Sequence, residues 1–254
     1  MTLLNRILVS TSHKRPVPGL EGMKRCGPGV IVGATLIAVV TALLLASHAH
    51  ASGGPYVVDD ADVIDRGTCQ LESFYSRLGS GTDLAFVAPG CNVANVEWTL
   101  GLTRARLDGE TDSGIELQAK ALLRPVSSGG VGVAIAAGIG RGLSSGGRLS
   151  DGFVNLPVTW EPVDALRLHA NLGSAYSRDD RRHTTTYGVG FDWTLSERLN
   201  LLGENFRDDR GASGYQLGLR PVLVPERLHL DVTWARALEG ITGDWWTVGL
   251  VWAF

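Results

Sequence analysis

The chain has 254 residues, of which 44% are hydrophobic and 19% are charged, and it contains 33 glycines. This glycine content is typical of strands and turns and argues against a mainly helical protein. Hydrophobic and aromatic residues recur along the whole chain, which excludes a disordered protein. The formal net charge is −3, and it becomes −7 without residues 1–51, because that segment carries five basic residues and one acidic residue. Such an acidic chain is a poor candidate for binding nucleic acid.

The first 51 residues have the features of a secretory signal peptide. Met23-Lys24-Arg25 is a basic start, residues 30–46 are almost wholly apolar, and Ala49-His50-Ala51 has the small-x-small pattern of a cleavage site. We therefore expect residues 1–51 to be removed, with Met23 as an alternative true start, and the mature chain to begin at Ser52. A membrane-anchor helix is the weaker interpretation, because the apolar run is short for a membrane span.

Residues 52–67 are rich in acidic side chains, among them Asp59, Asp60 and Asp62. We expect an extended segment in the periplasm, and the alternative is that it folds into the domain that follows as a plug. The acidic residues lack the spaced ligands of a calcium-binding loop. The sequence therefore predicts neither a metal site nor a cofactor.

From residue 68 onward, apolar and polar residues alternate with the period of two that is typical of β-strands. In residues 166–172, for example, three leucines and Ala170 alternate with Arg167, His169 and Asn171. About 12 such runs occur, each roughly 9–13 residues long, which is the length that a tilted strand needs to cross a bilayer. The runs lie at residues 68–77, 82–90, 95–107, 113–123, 129–141, 151–160, 164–176, 183–194, 198–207, 213–221, 226–236 and 244–254.

The connections between these runs alternate between long and short. Longer connections rich in Asp, Arg, Ser and Gly lie near 107–114, 140–152, 177–185, 207–214 and 237–244, and tighter ones near 91–95, 124–129, 161–164, 195–198 and 222–226. This alternation is typical of transmembrane β-barrels, with long loops outside the cell and short turns in the periplasm. We predict that residues 68–254 form one antiparallel transmembrane barrel of the bacterial outer membrane, with both termini periplasmic.

A soluble all-β protein, such as a β-sandwich, would show the same alternation. Three features favour the membrane barrel. The polar positions carry charges of both signs, as a wet lumen does, and aromatic residues gather near strand ends. The last strand also ends in alternating apolar residues and an aromatic residue, which resembles the signal that the barrel-assembly machinery recognises. The residues of this expected assembly signal are Trp246, Leu250, Trp252 and Phe254.

Two cysteines remain after the expected cleavage. Cys69 and Cys91 are each eleven residues from Ser80, the centre of the first predicted hairpin. They would therefore face each other across two strands at the periplasmic rim, where the compartment is oxidising. We predict a disulfide, and the alternative is two unrelated free thiols.

The residues before the first strand resemble those of a known group. Gly54-Pro55-Tyr56-Val57-Val58-Asp59-Asp60-Ala61, followed by Gly67-Thr68-Cys69-Gln70-Leu71-Glu72, is similar to the opening of outer-membrane barrels of the phenol-degradation (MetA-pathway) type, which are often called transporters. The match covers about 20 residues, and the rest of the chain agrees in architecture. The resemblance implies passage of hydrophobic or aromatic small molecules.

These observations predict a passive channel or transporter for a small solute, with outer-membrane lipid and lipopolysaccharide as its surroundings. The alternatives are a structural or adhesion-type barrel with a closed lumen and, less favoured, a lipid-acting barrel enzyme. Catalysis is disfavoured because Ser174 and His169 are an odd number of positions apart on one strand and face opposite sides. The residues expected to line the lumen are Glu116, Gln118, Lys120, Arg167, His169, Asn171, Glu204, Arg220, His229 and Asp231.

Overall fold

The structure is a computed structural model that describes residues 54–79, 81–107, 110–127, 129–143, 151–178, 181–239 and 243–254. The expected signal peptide and the expected first mature residue, Ser52, lie outside the described residues. In the described part of the chain, no helix combines the length and hydropathy that a membrane span requires.

The described residues form one closed antiparallel barrel of twelve strands. Each predicted run of alternation corresponds to one strand, so the predicted single antiparallel barrel of about 12 strands is confirmed, and the periplasmic position of both termini stays a prediction. The strands are β1 (Cys69–Leu78), β2 (Asp83–Val93), β3 (Val96–Leu107), β4 (Glu110–Arg124), β5 (Val131–Gly142), β6 (Asp151–Val163), β7 (Leu166–Ser177), β8 (Arg182–Ser196), β9 (Leu199–Asp208), β10 (Ser213–Val224), β11 (Leu228–Glu239) and β12 (Asp244–Ala253).

The barrel closes because the first strand pairs with the last. Gln70 lies opposite Ala253 in the β1–β12 ladder. Beyond it, the Cys69 N–H donates to the Phe254 carbonyl at 2.9 Å and the Phe254 N–H donates to the Cys69 carbonyl at 2.8 Å. Closure pairs the backbone groups that an open sheet would leave exposed at its edges. We call this end of the barrel the terminal end and the opposite end the loop end.

The connections follow the predicted alternation with two exceptions. At the terminal end, β2 and β3 are joined by Ala94 and Asn95, both with positive φ (56° and 65°), as in a type I′ hairpin turn. The widest separation in sequence between consecutive strands is between Gly142 of β5 and Asp151 of β6, whose ends lie at the loop end. The β3–β4 connection, predicted to be long, is short because β4 begins at Glu110, before the predicted start at residue 113, while β3 ends at Leu107 as predicted. The terminal-end connection between Arg124 and Val131, predicted to be tight, is longer than the other connections at that end.

Apolar side chains point outward from the barrel and polar side chains point inward. Leu172, Val189 and Trp246 are 59%, 59% and 60% exposed, whereas Gln216 and Asp231 are fully buried. A soluble sandwich has the opposite arrangement, because its apolar faces pack against each other. The structure therefore excludes the sandwich alternative.

Cys69 and Cys91 form a disulfide, as predicted. The two residues lie opposite each other in the β1–β2 ladder, and their Cα atoms are 4.0 Å apart. Each cysteine is followed in its strand by an inward-facing residue, Gln70 or Asn92. The cysteines therefore point outward, and the disulfide lies on the outer surface at the terminal end. Its position fixes the first hairpin beside the strand pair that closes the barrel.

Replacing both cysteines by serine (C69S/C91S) is expected to lower the free energy of unfolding by about 3 kcal/mol, because a disulfide that closes a loop of this length removes that much entropy from the unfolded chain. Urea titration of the refolded protein, followed by the gel shift between folded and heat-denatured forms, measures this. Wild-type protein under reducing conditions is the control and should match the variant. A barrel that fails to fold without the disulfide would contradict this expectation.

Candidate functional site

Residues 54–64 lie inside the barrel, and we call them the lumen segment. They have no regular secondary structure and lead into β1 from the terminal end. Ile64 contacts β2 and β3, Ala61 contacts β6, Val58 contacts β9 and Gly54 contacts β1. The segment therefore follows the inner wall around most of the lumen.

This position corrects the expectation for the residues before β1. Residues 52–67 were expected to be extended in the periplasm, with folding into the lumen as the alternative. Residues 54–64 instead lie in the lumen, where side chains of the barrel bind the backbone of these residues and form ion pairs with their carboxylates.

Side chains of the barrel wall bind the backbone of the lumen segment. Glu204 accepts hydrogen bonds from the N–H groups of Val57, at 3.0 Å to each carboxylate oxygen, and of Val58, at 2.7 Å. The Asn171 side chain accepts the N–H of Asp59 at 2.8 Å and donates to its carbonyl at 2.6 Å. A buried backbone group without a partner costs about 1–3 kcal/mol. These side chains therefore provide the hydrogen bonds that the backbone of a neighbouring strand would provide in a sheet.

The same kind of binding continues at both ends of the segment. Glu97 accepts the Ile64 N–H at 2.8 Å, and the Asn92 amide donates to the Ile64 carbonyl at 2.6 Å. At the other end, the Gln216 amide donates to the Pro55 carbonyl at 3.0 Å. The segment is thus held along its whole length by noncovalent contacts to side chains.

Ion pairs fix the acidic part of the segment. Lys120, whose side chain is 4% exposed, lies 2.9 Å from the Asp59 carboxylate and 3.4 Å from that of Asp60. Arg167 forms an ion pair with Asp62. A buried cation is stable only when it is paired, so Lys120 and the two aspartates depend on each other for their burial.

Tyr56 contacts a second group of charged side chains, which belongs to β10 and β11. Arg220 donates to Asp231 from Nε at 2.8 Å and from Nη2 at 3.3 Å, and its guanidinium lies 5.5 Å from the centre of the Tyr56 ring. The Tyr56 hydroxyl donates to Asp231 at 3.4 Å. His229 lies 3.7 Å from the same carboxylate. The lumen segment therefore completes a charged cluster of the wall.

Burial in the lumen changes the acidity of the segment's own groups. Burial raises the pKa of the Tyr56 hydroxyl, and the nearby Asp231 carboxylate raises this pKa further. Burial also favours a higher pKa for Asp60, but Lys120 and Arg167 outweigh it and lower that pKa to about 2. Because this folded-state pKa is depressed, the stabilisation from Asp60 is present above its ordinary pKa and is lost only as the pH falls towards 2.

Inward glycines make room for the segment. A Cβ at Gly188 would lie 2.6 Å from the Val58 side chain, and one at Gly218 would lie 2.5 Å from the Tyr56 hydroxyl. In the structure, the space that these glycines leave is filled by the lumen segment.

The residues predicted to line the lumen all lie on the inward-facing positions of their strands. The residues that contact the lumen segment directly, as described above, are Lys120, Arg167, Asn171, Glu204, Arg220 and Asp231. The others, which face the remaining space or the charged cluster, are Glu116, Gln118, His169 and His229. Their part in a conducting path stays a prediction.

Several inward residues that bind the segment or face the cavity beside it were not predicted from the sequence, among them Asn92, Glu97 and Glu72. Their signal was present in the strand alternation, since each occupies a polar position of β1, β2 or β3. Lys120 carried a stronger signal, because it is the only lysine after Lys24. No pattern in the sequence indicated that it pairs with Asp59.

A cavity of about 190 Å³ remains between the segment and the wall. Acidic side chains, among them Glu72 and Glu116, and the rings of Phe74, Phe86 and Phe153 line it. The cavity therefore has both charged and aromatic walls.

An apolar cluster narrows the lumen near the loop end. Phe206 and Trp245 meet there with ring centres 6.4 Å apart, beside Leu78 and Leu84. Val57 of the lumen segment also belongs to this cluster. The segment is thus attached by polar contacts along its length and by apolar packing at one point.

The described residues contain no group of three or more His, Cys, Asp or Glu side chains arranged to hold a metal ion. His169 contacts the Thr159 hydroxyl at 2.9 Å, and that hydroxyl accepts the Ala61 N–H at 2.8 Å. Ser174 lies on the outward face of the same strand as His169. The two residues are therefore not a nucleophile and its base.

A model of the protein family described as Uncharacterised conserved protein UCP029691 matches residues 40–254. The chain belongs to this family. The matched region includes the lumen segment and all twelve strands. A search of curated protein sequences finds no match.

Solved structures with a similar fold are outer-membrane barrels. The KdgM porin in complex with disordered oligogalacturonate has a TM-score of 0.56 and 12% identity, and the match covers 73% of this chain and 99% of the porin. The COG4313 outer membrane channel from Pseudomonas putida F1 has a TM-score of 0.58 and 9% identity, covering 77% and 98%. The NanC porin has a TM-score of 0.56 and 7% identity, covering 72% and 98%. At these identities the likeness shows the fold. The narrower resemblance to the phenol-degradation type stays a prediction.

Replacing Glu204 by glutamine (E204Q) should loosen the lumen segment, because an amide nitrogen cannot accept the N–H groups of Val57 and Val58. Charge-assisted hydrogen bonds contribute about 1.5–3 kcal/mol, so we expect amide exchange in residues 54–62 to become at least about tenfold faster. Hydrogen-exchange mass spectrometry on the refolded barrel measures this. The control is E197Q in an exposed turn, which should exchange as the wild type does. Unchanged exchange in E204Q would show that Glu204 does not hold the segment.

Proposed function

We propose that this protein is a passive outer-membrane channel for a small solute, closed in the present state by the lumen segment. The observation that carries the proposal is the manner of closure. The segment is held by side-chain hydrogen bonds and ion pairs, and it forms no strand of the barrel. It can therefore leave the lumen, or shift within it, without breaking the β1–β12 ladder.

The distribution of outward side chains supports a membrane location. Apolar residues cover the outer surface, which suits contact with lipid hydrocarbon. Aromatic side chains lie near both ends of the barrel, where they suit the two membrane interfaces. Those at the terminal end are Trp98, Trp160, Trp193 and Trp252, and those at the loop end are Tyr75, Tyr176, Tyr215 and Trp246.

The comparisons support the same proposal through the fold. KdgM and NanC are porins, and the Pseudomonas putida protein is an outer membrane channel. We infer from these a channel in the outer membrane, with both termini in the periplasm. The resemblance of residues 54–72 to the phenol-degradation type favours a solute with hydrophobic or aromatic character.

A protein in the outer membrane must also be inserted there, and β12 has the features of an assembly signal. Trp246, Leu250 and Trp252 occupy the outward face of β12, and Phe254 pairs with Cys69 at the closing ladder. We propose that the barrel-assembly machinery recognises this strand. The arginine-containing connections at the loop end would then face lipopolysaccharide.

One observation favours a barrel with a permanently closed lumen. Lys120 and its two aspartates are buried as an ion-paired group, and removing such a group from its partners is costly. Together with the apolar cluster at the loop end, this group would suit a structural or adhesion-type barrel. The following experiment separates the two functions.

Deleting residues 54–62 should increase the conductance several-fold, because it removes the segment from the lumen while it leaves every strand intact. Single-channel recording in planar bilayers measures this, and the folded state is checked by the heat-dependent gel shift. The wild type should conduct weakly, and E197Q is the matched control. If a folded deletion variant carries no current, the lumen is closed for another reason and the structural barrel is favoured.

An arginine at Val189 (V189R) tests the membrane location. Val189 is 59% exposed on the outer face in the middle of β8. In a bilayer, arginine at mid-depth should lower the free energy of unfolding by about 2–4 kcal/mol, and V189L should have little effect. Equilibrium refolding into lipid vesicles measures the difference. A V189R protein as stable as the wild type in vesicles would show that this face does not contact lipid.

A further inference from the structure

The cavity beside the lumen segment has an excess of acidic side chains. Its lining includes Asp59, Asp60, Glu72, Glu97, Glu116, Asp192 and Glu204, against the basic side chains Lys120, His169 and Arg220. Lys120 is paired with two of these aspartates, and Arg220 is paired with Asp231 outside the lining. Carboxylates in a confined space are stable when a cation compensates them. A cationic ligand would supply that charge.

Glu72 is the acidic residue best placed for such a ligand. Its carboxylate accepts hydrogen bonds from the Gln70 amide, at 2.7 Å, and from the Gly54 N–H, at 3.4 Å, both of which are neutral donors. Beside it, the Gln70 Oε1 atom is buried and accepts no hydrogen bond from the described residues, and the same is true of Asn155 Oδ1 across the cavity. These acceptors point to a ligand with several N–H donors.

An aromatic wall lies next to these acceptors. Phe74 follows Glu72 on the inward face of β1, about 7 Å further along the strand. The Phe74 ring stacks on Phe86, with centres 4.8 Å apart and planes at 25°. Phe86 in turn lies over Gly101, where a Cβ would come within 3.1 Å of the ring. Because Gly101 has no side chain, the Phe86 ring can pack against the wall with the Phe74 ring stacked on it.

The size of the cavity limits the ligand. A cavity of about 150 Å³ holds benzene, and this one has about 190 Å³. The space suits one aromatic ring with a short alkyl chain. Glu72 and Phe74 are neighbours on the same inward face, so an ammonium group and an aromatic ring of one small molecule can reach both.

We propose that the cavity binds a small protonated aromatic amine, with the ammonium group at Glu72 and Gln70 and the ring against Phe74 and Phe86. The ammonium group donates to the carboxylate and to the free amide oxygen, and it also lies near the faces of aromatic rings, which attract cations. This inference rests on the proposed function, because it names a solute class for the same lumen.

The test uses 2-phenylethylamine as the probe. Isothermal titration calorimetry is performed on the full-length mature barrel in nanodiscs of zwitterionic lipid, with empty nanodiscs as the blank. We expect 2-phenylethylamine to bind at least about tenfold more tightly than the neutral 2-phenylethanol, and also more tightly than butylamine, which lacks the ring. The wild-type protein alone thus tests both parts of the proposal.

Variants then assign the binding to these residues. E72Q should weaken 2-phenylethylamine binding at least about tenfold and leave 2-phenylethanol unchanged, and F86L should weaken both aromatic probes. E197Q, far from the cavity, is the matched control and should bind as the wild type does. Each variant is checked for folding by the gel shift.

Equal binding of 2-phenylethylamine and 2-phenylethanol to the wild type, or no binding of either, would overturn the proposal. Unchanged binding in a folded E72Q variant would overturn the placement of the ammonium group. These outcomes are independent of conductance. A barrel that conducts and does not bind the amine refutes only the ligand class, and one that binds the amine and never conducts refutes only the channel.

Discussion

The pairing of β1 with β12 is the constraint on which the rest of this structure depends. Closure fixes the inner and outer faces of every strand, because side chains alternate strictly along a strand. It also places the residues that precede Cys69 at the entrance of the lumen, since β1 begins at the terminal end. The lumen segment can reach Glu204 on the far wall only because the wall forms a complete ring.

Within that ring, the interior is organised around backbone groups as much as around charges. The lumen segment has no strand beside it, so each of its buried N–H and carbonyl groups needs a side chain as partner. Glu204, Asn171, Glu97, Asn92 and Gln216 provide these partners from different strands. These hydrogen bonds bind the backbone whatever its side chains are. The ion pairs of Lys120 and Arg167 add specificity for the acidic residues 59–62. This division explains a segment that is held firmly and yet is not part of the barrel.

The inner positions of the strands could be predicted from the alternation, and Arg167, His169 and Asn171 illustrate this. Their contacts could not be predicted. Nothing in the sequence links Lys120 to Asp59, because the two residues are 61 positions apart and meet only when β4 and the segment share one interior. Glu97 was also overlooked, although it occupies a polar position in the alternation of β3. Its contact with the Ile64 N–H could not be predicted, because Ile64 approaches β3 only when the segment lies inside the barrel. The predicted loop between β3 and β4 was too long for a related reason: local composition suggested a loop where pairing between the two strands continues.

The sequence by itself determined the twelve strands, the inner and outer faces and the Cys69–Cys91 pair, because strand alternation and hairpin register are local properties of the chain. Only the tertiary structure decided what fills the lumen. The same acidic residues, 59–62, are compatible with a solvated extended segment and with a buried one. The choice depends on partners contributed by distant strands, and these partners converge only after the barrel has closed.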